Sequence, residues 1–260
     1  MRVQNLKHWS GIMARYRLFK TICSGRTSAL INECELYLDK VGHVYPGVCA
    51  DLEPFSFFER VCGEYPDSLF DLDFSDLTAY NFSESLGGRL PEWTAEPEVS
   101  LFIGRLIFGM NATVAVEIGT FMGATSAYIA RAFSCMTPNS RKLYSVDISD
   151  EFVRVAEQHL RALGLTNYVH LITGKSLDET TLEAIPEADV IFIDSSHDYA
   201  TTCAEIDVYS KKLRNLGILV LHDSIQWPGV RNALAHYSQQ FQVFSFATSR
   251  GNGLSVLRKF

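Results

Sequence analysis

The run Val114-Ala115-Val116-Glu117-Ile118-Gly119-Thr120-Phe121-Met122-Gly123 restricts what this chain can become more than any other stretch. Its opening residues are apolar and largely β-branched, which suits a strand covered on both faces. An acid and two spaced glycines follow, and Ala124 to Phe133 then read as a helix. A strand, a glycine turn and a helix in that order make a ligand cradle. Glycine accepts positive φ and close approach to the main chain, and the helix start presents free N–H groups. A dinucleotide cradle has the form G-x-G-x-x-G and grips a pyrophosphate. Here the spacing is G-x-x-x-G, and Glu117 would repel a phosphate. A cationic ligand whose ammonium pairs with that carboxylate is the better match, and a nicotinamide-linked oxidoreductase is disfavoured.

The residues around this cradle alternate in the same way. Strands are expected at Thr113–Glu117, Lys142–Asp147, Tyr168–Ile172, Asp189–Asp194 and Ile218–His222. Helices are expected at Glu98–Met110, Gly123–Phe133, Asp150–Leu163, Asp178–Ala184, Tyr199–Leu213 and Gly229–Tyr237. Such alternation implies a parallel sheet. Gln242–Ala247 and Leu254–Leu257 flank a glycine-rich turn, so a hairpin should close the sheet with one antiparallel strand at its edge. Residues 1–95 lack the pattern and read as a helical cap before a domain at 96–260. Helical stripes run through Asn5–Ile22 and Ser28–Val41, Gly42–Pro54 is a loop, and Phe55–Val61 is a short helix. Tyr65–Pro97 reads as irregular, acidic and aromatic, either a lid or an interaction surface.

Composition narrows the function classes. A net charge of −7 and the absence of a basic block argue against a nucleic-acid partner. No apolar run is long enough for a membrane span. The six cysteines form no C-x-x-C pair, so reduced, mostly buried thiols in a cytoplasmic protein are expected. The amphipathic first helix is a candidate contact for a homo-oligomer.

Parallel strands deliver their C-terminal ends to one rim, where ligands bind. Glu117, Asp147, Asp194 and the pair His222-Asp223 all stand at expected strand ends. Several acids on one rim repel one another unless positive charge lies between them. A cationic cofactor together with a metal ion would relieve that repulsion. Asp147 suits ribose hydroxyls. Asp194 and Asp223, on neighbouring strand ends, are hard oxygen ligands for a shared Mg²⁺. His197, three residues beyond Asp194, suits a general base. An Fe(II) site built from His197, His222 and an Asp is disfavoured, because adjacent His222 and Asp223 should point to opposite faces.

With these residues in place, Glu98 to Phe260 resembles the class I S-adenosylmethionine-dependent methyltransferases. It is most similar to the metal-dependent small-molecule O-methyltransferases, the catechol type and its bacterial sugar and natural-product relatives. The resemblance implies a Rossmann-like α/β fold with a seven-stranded, mostly parallel sheet. It implies that Glu117, Gly119, Thr120, Gly123, Thr125, Asp147, Ser176 and Asp194 contact S-adenosylmethionine, with Glu117 and Thr125 at its amino-acid end and Ser176 on the adenine side. It further implies Asp194, Asp223 and Ser224 as ligands of Mg²⁺ or another divalent cation. Ser224 departs from the asparagine of the catechol enzymes. The expected activity is methyl transfer to a hydroxyl of a small molecule, with His197 as base. The rival reading is a catalytically silent subunit of the same fold that binds a partner through its cap.

Overall fold

A computed structural model of the protein describes residues 72–82, 93–138, 140–246, 248 and 250–259. The helices expected in the first 61 residues, including the candidate oligomer contact, lie outside the described residues. The described chain begins with the short helix α1 (Ser75–Ala79) and the longer α2 (Pro97–Gly109). Then follow β1 (Val114–Ile118), α3 (Ala124–Ser134), β2 (Lys142–Asp147), α4 (Asp150–Ala162) and β3 (Val169–Thr173). The second half contains α5 (Glu179–Ala184), β4 (Ala188–Ile193), α6 (Tyr199–Tyr209), β5 (Leu213–His222), α7 (Pro228–Tyr237), β6 (Phe241–Phe246) and β7 (Leu254–Lys259).

The seven strands form one sheet in the order β3-β2-β1-β4-β5-β7-β6. Strands β1 to β5 pair in parallel. Winding runs outward from β1 through β2 to β3, then restarts on the other side with β4. The reversal opens a crevice beyond the C-terminal ends of β1 and β4, where ligands of such sheets bind.

Alternation along β4 shows why the sheet is sandwiched. Val190 and Phe192 enter the core shared with Phe102 of α2 and Phe133 of α3. Ile191 and Ile193 enter the opposite core, shared with Ile206 of α6 and Val230 and Leu234 of α7. A strand with four successive apolar residues, Val190 to Ile193, must be covered on both sides.

Three boundaries differ from expectation for physical reasons. β5 starts at Leu213 rather than Ile218. Its first residues pair with Ala188 across an irregularity, near exposed Leu216 at φ 65°, and this break hides the strand's start from an apolar pattern. Helix α6 ends at Tyr209, and a 3₁₀ turn over Ser210–Lys212 completes the expected span. In the closing hairpin, β7 is antiparallel to both β5 and β6, so the antiparallel strand is interior and β6 is the edge. Leu254, Val256 and Leu257 are fully buried on β7, which makes it the better interior strand.

In the described part of the acidic, aromatic stretch, Ser75–Ala79 is a short helix and the residues around it are irregular, but residues 72–82 pack on the domain. Leu72, Phe74 and Leu77 share a core with Leu101, Tyr128 and Leu160. Asp76 pairs with Arg131. Phe74 packs on Tyr128 with ring centroids 5.3 Å apart, and Tyr80 and Phe82 meet His159 edge-on. These residues form a third apolar cluster with α2, α3 and α4, although they precede residue 96. Among the described cysteines, Cys135 is exposed and Cys203 half-buried, both free, so neither fits the expectation of a buried thiol. No helix among the described residues is long and apolar enough to cross a membrane.

Candidate active site

The crevice is a cavity of about 900 Å³. Gly119, Asp147 and Ser176 line one side, and Asp194, His197 and Asp223 line the other. Six of the expected site residues therefore share one cavity. Trp93, Ile148 and Trp227, all exposed large apolar side chains, stand at its border.

The glycine turn works as expected at its first glycine. Gly119 has φ 101°, and a Cβ there would lie 1.9 Å from the Asp194 carbonyl oxygen. The close crossing of β1 and β4 termini depends on a residue without a side chain. Gly119→Ala is expected to abolish cofactor binding, read by calorimetry, because the β4 terminus must move to admit the methyl group. Gly123 plays a different part from the one expected. At φ 76° its absent Cβ would lie 2.9 Å from the Ala156 Cβ, so this glycine lets α3 pack on α4 and does not border the cavity.

Glu117 lies apart from the cavity. Its carboxyl is buried beneath the turn and away from the cavity wall. Oε2 accepts hydrogen bonds from Ser126 Oγ and, at 2.5 Å, from Ser145 Oγ. Burial, against those two hydrogen bonds, pushes its pKa up to about 8. With Oε2 turned to the two serines, the carboxyl does not border the cavity. Because the folded pKa lies above the ordinary value of 4.5, folding stability falls as pH rises from there through about 8. Glu117→Gln is expected to flatten that part of the stability–pH curve in chemical denaturation.

Two threonines are likewise drawn inward. Thr120 Oγ1 lies 2.6 Å from Ser145 Oγ, and Thr125 Oγ1 lies 2.9 Å from Ser100 Oγ on α2. Both are buried and neither borders the cavity. Asp147 does reach the wall. Its Oδ2 accepts from Phe121 N and its Oδ1 from Ser149 N, each at 2.8 Å, which fixes the carboxylate and leaves lone pairs for ribose hydroxyls. The volume, the side-chain-free crossing at Gly119 and the held acid of Asp147 together fit an adenosyl ligand.

The opposite side carries the acid–histidine group. His197 Nε2 lies 2.6 Å from Asp223 Oδ2, close but not aligned as a hydrogen bond. Its ring stacks on Trp227 at 4.5 Å between centroids and an interplanar angle of 14°. The Asp223 carboxylate beside it holds the His197 pKa above the usual value, against the effect of burial. For Asp223 the balance runs the other way. Burial alone would raise its pKa, but His197 and His222 hold it well below the carboxylate range.

His222 is the residue whose orientation the sequence reading placed wrongly. Strand β5 ends there, and Asp223 adopts φ 57°, so the up–down alternation stops. The two side chains therefore meet at one place. His222 Nδ1 donates to Asp194 Oδ1 at 3.1 Å and lies 3.5 Å from Asp223 Oδ2, while Nε2 donates to Glu96 Oε2 at 2.7 Å. Burial alone would lower its pKa, but Asp194, Asp223 and Glu96 raise it well above the usual value. The charge expected from a ligand is thus supplied in part by the chain. With both ring nitrogens engaged, His222 is unfit as a metal ligand, which disposes of the two-histidine iron site.

Asp194, His197 and Asp223 each offer one ligand atom, all within 4.8 Å of one another. Asp223 Oδ1 is buried without a hydrogen-bond partner. Two carboxylates, one orphaned oxygen and an imidazole suit a divalent ion. Ser224, expected as third ligand, is buried off the cavity wall with its Oγ unpartnered.

Two buried acids at this site escaped the sequence reading. Glu96, just before α2, accepts from His222 and, at 2.6 Å, from Thr248 Oγ1. Glu205 on α6 accepts from Ser176 and Ser195. Glu205 carries a legible signal, an acid set between Ala204 and Ile206 on a helix that packs against a sheet.

Comparison with known proteins agrees with this geometry. Residues 116–224 match the family described as "Methyltransferase domain". The chain is 27% identical over 171 residues to a protein of Niastella koreensis named catechol O-methyltransferase, covering 65% of this chain and 73% of that protein. The solved O-methyltransferase TomG of Streptomyces achromogenes, in complex with S-adenosylmethionine, superposes with a TM-score of 0.57 at 17% identity, over 78% of this chain and 94% of that one. An O-methyltransferase from Bacillus cereus in complex with S-adenosylhomocysteine gives a TM-score of 0.57 at 17% identity, over 79% and 96%. These two likenesses concern the fold. The glycine crossing, the held acid at β2 and the matched segment point the same way: residues 116–224 are similar to the methyltransferase domain family, on a fold shared with solved O-methyltransferases.

Proposed function

We propose that the protein moves the methyl group of S-adenosylmethionine to a hydroxyl of a small molecule. One observation carries this reading: a single cavity joins the adenosyl-fitting side, Gly119, Asp147 and Ser176, to the acid–histidine side, Asp194, His197 and Asp223. His197 receives the proton of the acceptor hydroxyl, and the Asp223 carboxylate at 2.6 Å stabilises the imidazolium that results. Holding acceptor and methyl donor in one enclosed space supplies the proximity on which such a transfer depends. Trp93 and Trp227 at the border give the acceptor's carbon skeleton an apolar surface.

Asp194 and Asp223 are the residues that would hold a divalent cation such as Mg²⁺, with the orphaned Asp223 Oδ1 as the supporting observation, and His197 beside them stays free to take the proton. When bound, the ion supplies positive charge that acidifies a hydroxyl and fixes its position. The test is a panel of hydroxylated metabolites with isotopically labelled cofactor, before and after dialysis against a chelator. Label is expected to enter at least one hydroxylated acceptor, and chelation is expected to cut the rate at least roughly tenfold, restored by Mg²⁺. A protein that binds no S-adenosylmethionine at millimolar concentration overturns the reading. Turnover that survives chelation removes the metal alone.

A further inference from the structure

Helix α6 presents two side chains, one turn apart, to the loop after β3. The Tyr209 hydroxyl donates to the Ser176 carbonyl oxygen at 2.6 Å, fixing the backbone of that residue. The Ser176 hydroxyl donates to Glu205 Oε1 at 2.6 Å. Ser195, at the end of β4, donates to the same carboxyl, 2.8 Å from each of its oxygens. Glu205 is 0% exposed, yet it borders the cavity along with both serines. The transfer chemistry described above gives Glu205, Ser195 and Tyr209 no task.

A serine hydroxyl has one hydrogen and two lone pairs. In Ser176 that hydrogen is committed to Glu205, so the hydroxyl can offer only lone pairs to a ligand. Its position says which part of the ligand it meets. Asp147, ending β2, holds the ribose. The base then extends toward β3, whose following loop contains Ser176. Adenine has a hydrogen-bond donor at its 6-amino group, whereas hypoxanthine has an acceptor oxygen at the same position.

We propose that Glu205 locks Ser176 as a hydrogen-bond acceptor, so that the pocket selects a 6-amino purine over a 6-oxo purine. Glu205 is thus a positioning residue that acts on cofactor choice through a serine. The proposal rests on the S-adenosylmethionine reading.

Calorimetry with S-adenosylhomocysteine and its deaminated analogue S-inosylhomocysteine tests it without turnover. The unaltered protein is expected to prefer the adenosyl compound by roughly ten- to a hundredfold, since the wrong base sets two acceptors against each other. Glu205→Met frees the Ser176 hydrogen to rotate toward the ligand, and the preference is expected to shrink to within about threefold. Glu205→Gln keeps an acceptor oxygen and is expected to restore most of the preference, an effect that bulk packing would not produce. A folded Glu205→Met variant with the full preference overturns the proposal. If that variant does not fold, Glu205→Ala decides by the same measure: a preference reduced to within about threefold supports the lock, and its retention overturns it. An unaltered protein that binds both compounds equally overturns this inference alone. One that binds neither overturns the cofactor reading with it.

Discussion

Replacing His197 with alanine is expected to lower kcat by about 10²–10⁴-fold while S-adenosylhomocysteine binds almost as before. The imidazole stands on the acceptor side of the cavity, against Asp223 and Trp227, and Gly119, Asp147 and Ser176 on the cofactor side are untouched. Calorimetry and turnover on one preparation separate the two effects. The remaining activity should also lose a pH limb. Asp223 holds the His197 pKa above the ordinary 6.5, so kcat/KM in the unaltered protein is expected to rise with pH through a value higher than that. A variant with unchanged kcat and an unchanged acid limb would remove His197 from the chemistry.

The second large effect concerns stability. Glu96→Ala is expected to cost about 3–5 kcal/mol, because it strips a partner from a buried, positively charged imidazole. Glu96 is fully buried, and burial alone would raise its pKa, but His222 and Thr248 draw it below the usual range. Both partners of the 2.7 Å contact are therefore ionised. At about 2–4 °C per kcal/mol for a domain of this size, Tm should fall on the order of 10 °C. Glu96→Gln still offers an oxygen to His222 Nε2, so its loss is expected to be clearly smaller. Equal losses for the two variants would show that the carboxylate's charge, and not the acceptor oxygen that Gln retains, is what matters.

Much of the fold is legible in the sequence because local rules and the final packing agree. The apolar run of β4 needs two covering layers, and the structure gives it both. Strand β2 occupies the expected residues because Asp147 ends it and Ser149 caps the next helix. The site is legible at positions where the main chain decides, such as Gly119 and the strand ends at Asp147 and Asp194. It is less legible where side-chain direction decides. Glu117, Thr120 and Thr125 lie in the expected loop or at its edges, but serines on β2, α2 and α3 draw them away from the cavity. Nothing local says that they should. Glu96 illustrates the same limit at long range, since its partner His222 lies 126 residues away. Beside Pro97 it reads only as the start of a helix. The reversal at Asp223 depends on one positive φ, which a strand-alternation rule cannot anticipate.

The turn between β6 and β7 reaches the acceptor side of the cavity by three routes. Thr248 holds Glu96, Arg250 Nη1 donates to the Thr94 carbonyl at 2.8 Å, and the Asn252 carbonyl accepts from Ile225 N and Gln226 N. None of these ties touches the glycine turn or Asp147. Descendants of this chain could therefore change diet by exchanging a few residues near the carboxyl end, leaving the methyl supply undisturbed. Grafted hairpins, rather than altered cradles, are where an engineer seeking a new acceptor should begin.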